Sequence, residues 1–160
     1  MLYFIYSMFH IFDHVINDAQ CKDIIKLAPI ISSIKTPMPV NNDWSDRVIN
    51  ITNHPIINSI EVYLNQKLNL KLKAYQVQLQ VWPIYSYSPL HIHNAEGSRG
   101  GSKYTSMLYL NNNFNGGEFL TSDIMVKPIP GRLTFFDGSE IYHGVNKVIG
   151  NPRFTLIFWW

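Results

Sequence analysis

A chain of 160 residues, 46% hydrophobic and 14% aromatic, can bury one ordinary core without staples and is too apolar to be disordered. Its formal charge of +2 is too small to draw it to nucleic acid or to an anionic membrane. The single cysteine, Cys21, excludes an internal disulfide and a cysteine-rich zinc site, and it fits a reducing compartment such as the cytoplasm.

Met1 to Phe9 is apolar but far too short to span a bilayer. Without a basic lead or a small-residue cleavage site, it reads as a first strand or a segment covering the core. The spacing then predicts a first helix within Ile11–Ala28, with Asp18 as N-cap and Cys21, Ile24, Ile25 and Ala28 on one face, ended by Pro29. Serine, proline and asparagine crowd Ser32 to Asp46, which reads as a loop. Trp44 and Arg47 there read as anchors for that loop, with substrate contact as the alternative. A second helix starts near Pro55, a residue suited to the first turn, and Ile57, Ile60, Leu64 and Leu68 form its apolar stripe.

From Tyr75 the period changes from helical to alternating. Tyr75, Val77, Leu79 and Val81 alternate with Gln76, Gln78 and Gln80, as in a strand with one wet face. Short runs follow over Tyr104–Leu110, Glu118–Thr121, Ile124–Lys127, Arg132–Phe136, Tyr142–Val148 and Phe154–Trp160, separated by Asn-, Gly- and Pro-rich turns. Many short strands with regular turns imply a β-sandwich or barrel. The expected architecture is a single domain over 1–160, mainly β (α+β), with a helical lead-in over 1–70 and a barrel over 71–160.

Three histidines fall in this second half. His91 and His93 are two apart on an expected strand and so leave the same face, and His143 from a distant strand can complete one side of a metal site. Arg153 opens the last apolar strand and shares a face with Thr155, Ile157 and Trp159. A barrel-facing arginine needs an anion, and its planar fork matches a carboxylate. Ser98 to Lys103 lacks the spacing of a phosphate-cradling loop and reads as a lid, with Arg99 and Lys103 able to meet an acidic substrate. Ser139, near His143, lacks a nucleophile elbow, which excludes a serine hydrolase.

Five blocks in fixed order carry a family resemblance. They are Tyr104–Asn111, then Gly116-Gly117-Glu118-Phe119, then Pro130–Phe136, then Tyr142-His143-Gly144-Val145, then Arg153 before the apolar run to Trp159. From Leu79 to Trp160 the chain resembles the iron(II)- and 2-oxoglutarate-dependent oxygenases of the prolyl 4-hydroxylase type.

The resemblance implies a double-stranded β-helix, a jelly-roll or cupin-like barrel, with the two helices packed outside. It implies Fe(II), 2-oxoglutarate and ascorbate as reductant, and hydroxylation of a C–H bond on a small-molecule or peptidyl substrate, with a prolyl side chain as the subfamily's example. His143 takes the place of the distal iron ligand. Arg153 and Tyr109 take the places that hold the far carboxylate of 2-oxoglutarate. Trp159 stands where nucleic-acid demethylases of this fold carry a second arginine, which argues against a nucleobase substrate.

One departure matters. The family reads His, any residue, then an acid, whereas this chain reads His91-Ile92-His93-Asn94-Ala95-Glu96. Three sets stay open: His91, His93 and His143 together; a set completed by Glu96; or a halogenase-like gap at Ala95. Metal binding without turnover is the alternative from a different class.

Overall fold

The computed structural model describes residues 8–29, 46–93 and 103–160. Two helices pack on an antiparallel β-structure of twelve strands among these residues.

The first described strand, β1 (Phe9–Phe12), pairs residue for residue with Leu133–Phe136 of β9 (Leu133–Asp137). The first helix, α1 (Asp18–Ile25), is therefore shorter than the apolar spacing from Ile11 suggests. Its N-cap is Asn17 rather than Asp18. The Asn17 carboxamide accepts from the Gln20 N–H at 2.9 Å, and the Gln20 side chain accepts from the Asn17 N–H at 2.9 Å. This reciprocal pair satisfies two otherwise orphaned donors of the first turn. Helix α2 (Pro55–Leu68) begins and ends where the sequence places it, with His54 as its N-cap and Asn69 left-handed at its end.

The larger sheet has the order β1-β9-β5-β12-β3-β2, where β2 is Val48–Asn50, β3 Gln76–Trp82, β5 Tyr104–Tyr109 and β12 Arg153–Trp159. A four-stranded sheet runs β4-β10-β7-β8, from Ser88–His91, His143–Val145, Phe119–Thr121 and Met125–Val126. A short ribbon joins β11 (Val148–Ile149) to β6 (Asn115–Gly116), so the run Tyr142–Val148 divides between two sheets.

Register decides what each face of the larger sheet does. Leu156 sits between Leu79 and Leu108, and Leu108 faces Leu133. These leucines, with Val77, Phe135 and Phe158, pack against Cys21 and Ile24 of α1 and Ile57, Ile60 and Leu64 of α2. Each such side chain, fully buried, contributes roughly 1.5–3 kcal/mol. The alternate residues point to the smaller sheet, where Met107, Tyr109 and Phe136 meet Phe119 and Val126. Gln78 and Gln80 belong to this inner side and are buried, so the polar face expected to meet bulk water lines an interior instead. The lid over Ser98–Ser102 and the loop containing Trp44 lie outside the described residues. Arg47 is buried and bonds Asp46 at 3.1 Å, an anchoring contact.

Candidate metal centre and anion pocket

Cross-strand pairing places His91 and His143 opposite one another. His143 on β10 is the register partner of His91 on β4. His93 lies beyond the end of β4 rather than on it, and its backbone N–H donates to the Gly138 carbonyl at 2.8 Å. The three side chains still converge, with ligand atoms all within 4.8 Å of one another. His93 Nε2 and His143 Nε2 are 3.2 Å apart. At a metal–nitrogen distance of about 2.1 Å, ligands at right angles lie about 3 Å apart, so this spacing suits one shared ion.

Outer contacts orient the rings. A carbonyl only accepts, so the contact of His143 Nδ1 to Ile141 O at 2.8 Å puts the proton on Nδ1 and leaves Nε2 a lone pair. His91 Nδ1 likewise meets a carbonyl, Pro89 O at 2.9 Å. His93 Nδ1 lies 3.3 Å from the Thr105 hydroxyl. Burial pushes the His143 pKa down to about 3, reinforced by His93 and His91 against the bond to Ile141. The imidazole is therefore neutral, the form that binds metal. Phe119 stacks on it at 5.8 Å and Phe136 leans on it at 4.7 Å.

Arg153 lies on the wall of the same cavity, a space of about 150 Å³ bordered also by His91, His93, Gln80 and Trp82. That is room for a small metabolite rather than a drug-sized ligand. The arginine is fully buried, and its Nε donates to Gly117 O at 3.0 Å. Its guanidinium lies 5.0 Å from the Trp82 ring and 5.1 Å from the Tyr109 ring. Nη1 has no hydrogen-bond partner, and no carboxylate is among the described residues that line the cavity. Burial lowers its pKa, against Tyr109 and the Glu118 carboxylate, which act to raise it.

Gly117 explains the glycine pair: with φ +65° it turns its carbonyl toward Arg153, and a Cβ there would lie 3.0 Å from Arg153 Cδ. The Tyr109 hydroxyl accepts from Phe119 N–H at 2.7 Å and donates toward Gly117 O at 3.2 Å or Val126 O at 3.1 Å. It fixes the pocket wall while its ring faces the guanidinium.

Thr155 was visible in the sequence only as a face-mate of Arg153. Its Oγ1 is buried without a hydrogen-bond partner two residues further along the same face. Ala95 and Glu96 lie outside the described residues.

The cavity thus joins His91 and His93, two of the three clustered imidazoles, to a buried guanidinium with no carboxylate among the described lining residues. The family model of the 2OG-Fe(II) oxygenase superfamily matches residues 78–160, and the chain belongs to that superfamily.

Among curated relatives, a human 2-oxoglutarate and iron-dependent oxygenase domain-containing protein 3 is 38% identical over 74 residues, 41% of this chain and 23% of that protein. Mouse prolyl 3-hydroxylase 2 is 34% identical over 64 residues, 35% of this chain and 9% of that protein. The chain thus spans about a quarter or less of the length of these relatives. Among solved structures, a viral collagen prolyl hydroxylase from Paramecium bursaria Chlorella virus-1 matches with a TM-score of 0.69 at 18% identity, covering 94% of this chain and 93% of that one. A Pseudomonas putida prolyl-4-hydroxylase matches at 0.63 and 18%, covering 96% and 91%. At these identities the likeness is one of fold.

Proposed function

We propose that the chain is a Fe(II)- and 2-oxoglutarate-dependent dioxygenase that hydroxylates a C–H bond, with a prolyl or other peptidyl side chain as substrate. One observation carries the reading: Arg153 is a fully buried guanidinium, in a cavity that His91 and His93 border and that no carboxylate lines among the described residues. A lone buried cation costs several kcal/mol, so the fold that keeps it is made for an anion. Membership of the superfamily names 2-oxoglutarate as that anion.

In this reading His91, His93 and His143 hold the iron through Nε2, and their outer contacts keep the rings in place. Arg153 receives the far carboxylate on Nη1, Thr155 offers a hydroxyl beside it, and Tyr109 borders the same place through its ring. Met107, Phe119 and Phe136 keep water from the reacting centre. Bound there, Fe(II), 2-oxoglutarate and oxygen supply hydroxylation of a C–H bond with release of succinate and carbon dioxide.

The strand order supports a double-stranded β-helix, because successive strands β3, β4, β5 and β7 alternate between the two sheets, as do β8, β9, β10 and β12. The peptidyl substrate rests on analogy with the prolyl hydroxylases among the similar structures. A cytoplasmic location is part of the proposal and rests on the single cysteine.

The test is succinate formation from 2-oxoglutarate with Fe(II), ascorbate and oxygen. The parent turns over 2-oxoglutarate, and His143→Ala and Arg153→Ala abolish this. A parent that binds neither metal nor 2-oxoglutarate overturns the proposal. A second reading, metal binding without turnover, is favoured by the lack of a carboxylate among the described cavity residues. It predicts metal uptake and no succinate, with candidate substrates present.

A further inference from the structure

The histidine cluster offers nitrogen alone. The rings meet two carbonyls, Pro89 and Ile141, and the Thr105 hydroxyl. Asp137, at the end of β9, stands outside the cluster, and its Oδ2 is buried with no hydrogen-bond partner. Its Oδ1 accepts from the Ser139 N–H at 3.0 Å and the Ser139 hydroxyl at 2.7 Å, and its Oδ2 lies 3.5 Å from Lys103 Nζ. Among the described residues, then, no carboxylate joins the three imidazoles.

His93 is built into this arrangement. A Cβ at position 138 would lie 2.7 Å from His93 Nδ1 and 2.8 Å from Thr105 Oγ1, so the ring occupies its place because residue 138 is glycine. The His93 backbone is tied to that same glycine, and its Nε2 stands at ligand spacing from His143 Nε2.

We propose that His93, as a third imidazole, sets the metal preference of this centre. It favours borderline ions such as Co(II), Ni(II) and Zn(II) and disfavours Mn(II) and Mg(II), whose hard character calls for carboxylate oxygen. Fe(II) falls between. This rests on the assignment of the three histidines as ligands, and the experiment separates the two claims.

Metal-free parent, His93→Asp, His93→Ala and His143→Ala proteins are equilibrated with equimolar Mn(II) and Co(II) in excess. Unbound ions are removed and the bound metal is quantified by mass spectrometry, with circular dichroism confirming the fold. The Co(II) to Mn(II) ratio of the parent exceeds that of His93→Asp by about tenfold or more. Should His93→Asp not fold, His93→Gln brings a neutral oxygen donor to the same place and lowers the ratio in the same direction. Equal ratios in the parent and the oxygen-donor variant overturn the preference while leaving the centre standing. A parental ratio and occupancy in His93→Ala also overturns it, because another group is then the third ligand. A parent that takes up no metal, or that His143→Ala matches, removes the centre and this inference with it.

Discussion

Replacing Arg153 by methionine separates the stability of the empty pocket from its function. The side chain is fully buried, and the substitution keeps most of its volume. What is lost is the charge-assisted bond to Gly117 O, about 1.5–3 kcal/mol, and the two ring contacts, up to about 2 kcal/mol each. Against this stands the several-kcal/mol cost of keeping a guanidinium from water with Nη1 unbonded. The Gly117 carbonyl keeps the Tyr109 hydroxyl within donor distance. The two sides are of similar size, so ligand-free Arg153→Met is predicted to match the stability of the parent to within about 2 kcal/mol. With Co(II) and 2-oxoglutarate at a hundred times its Kd, the parent gains about 2.7 kcal/mol and the variant gains only what the metal gives. Thermal and urea unfolding with and without 2-oxoglutarate measure both quantities. A ligand-free loss of more than about 2 kcal/mol, with undiminished 2-oxoglutarate stabilisation of the variant, refutes the reading of Arg153 as an anion receptor held at the expense of stability.

Other perturbations test separate parts of the structure. Leu64→Ala, at a fully buried position where α2 meets the larger sheet, lowers stability by about 2–5 kcal/mol in urea unfolding without altering the metal occupancy of the folded protein. Gly117→Ala puts a side chain at φ +65° against Phe114 and Arg153 Cδ, and calorimetry shows weaker 2-oxoglutarate binding with metal affinity retained. Burial raises the Cys21 thiol to about 11, so a thiol reagent at pH 8 modifies it only on unfolding. The folded protein holds that proton where the unfolded chain releases it, so the Cys21 contribution to stability is complete below about pH 9 and falls as pH rises to about 11. A Cys21→Ala variant loses that segment of the pH dependence.

The sequence reveals an element where its own neighbours decide the conformation. Helix α2 is legible because its stripe is long and Pro55 marks its start. The strands from Gln76 onward are legible because turn residues punctuate them. β1 is not, since Phe9–Phe12 joins a strand more than 120 residues away and nothing local distinguishes that pairing from the lead-in to a helix. The same limit applies to β2 and β6, three and two residues long. At the site, residue type announces the histidines and Arg153. The position of His93 beyond β4 depends on its bond to Gly138, and Thr155 is one threonine in an apolar run until burial leaves its hydroxyl without a partner. Gln78 and Gln80 show the ambiguity most clearly, because alternation records that a face is polar and is silent on whether the water lies outside the fold or in a cavity.

β12 joins these two kinds of information in one strand. Leu156 and Phe158 pack toward the helices, and Arg153, Thr155 and Trp159 fall on the cavity side with Ile157 between them. The period of two makes the assignment rigid: a slip of one residue would bury Leu156 among the histidines and press the guanidinium into the leucines. Full pairing on both sides, with β3 over seven residues and β5 over five, prevents that slip. The apolar outer face therefore does more than supply stability. It fixes the register that holds a buried guanidinium, its Nη1 without a hydrogen bond, in the interior.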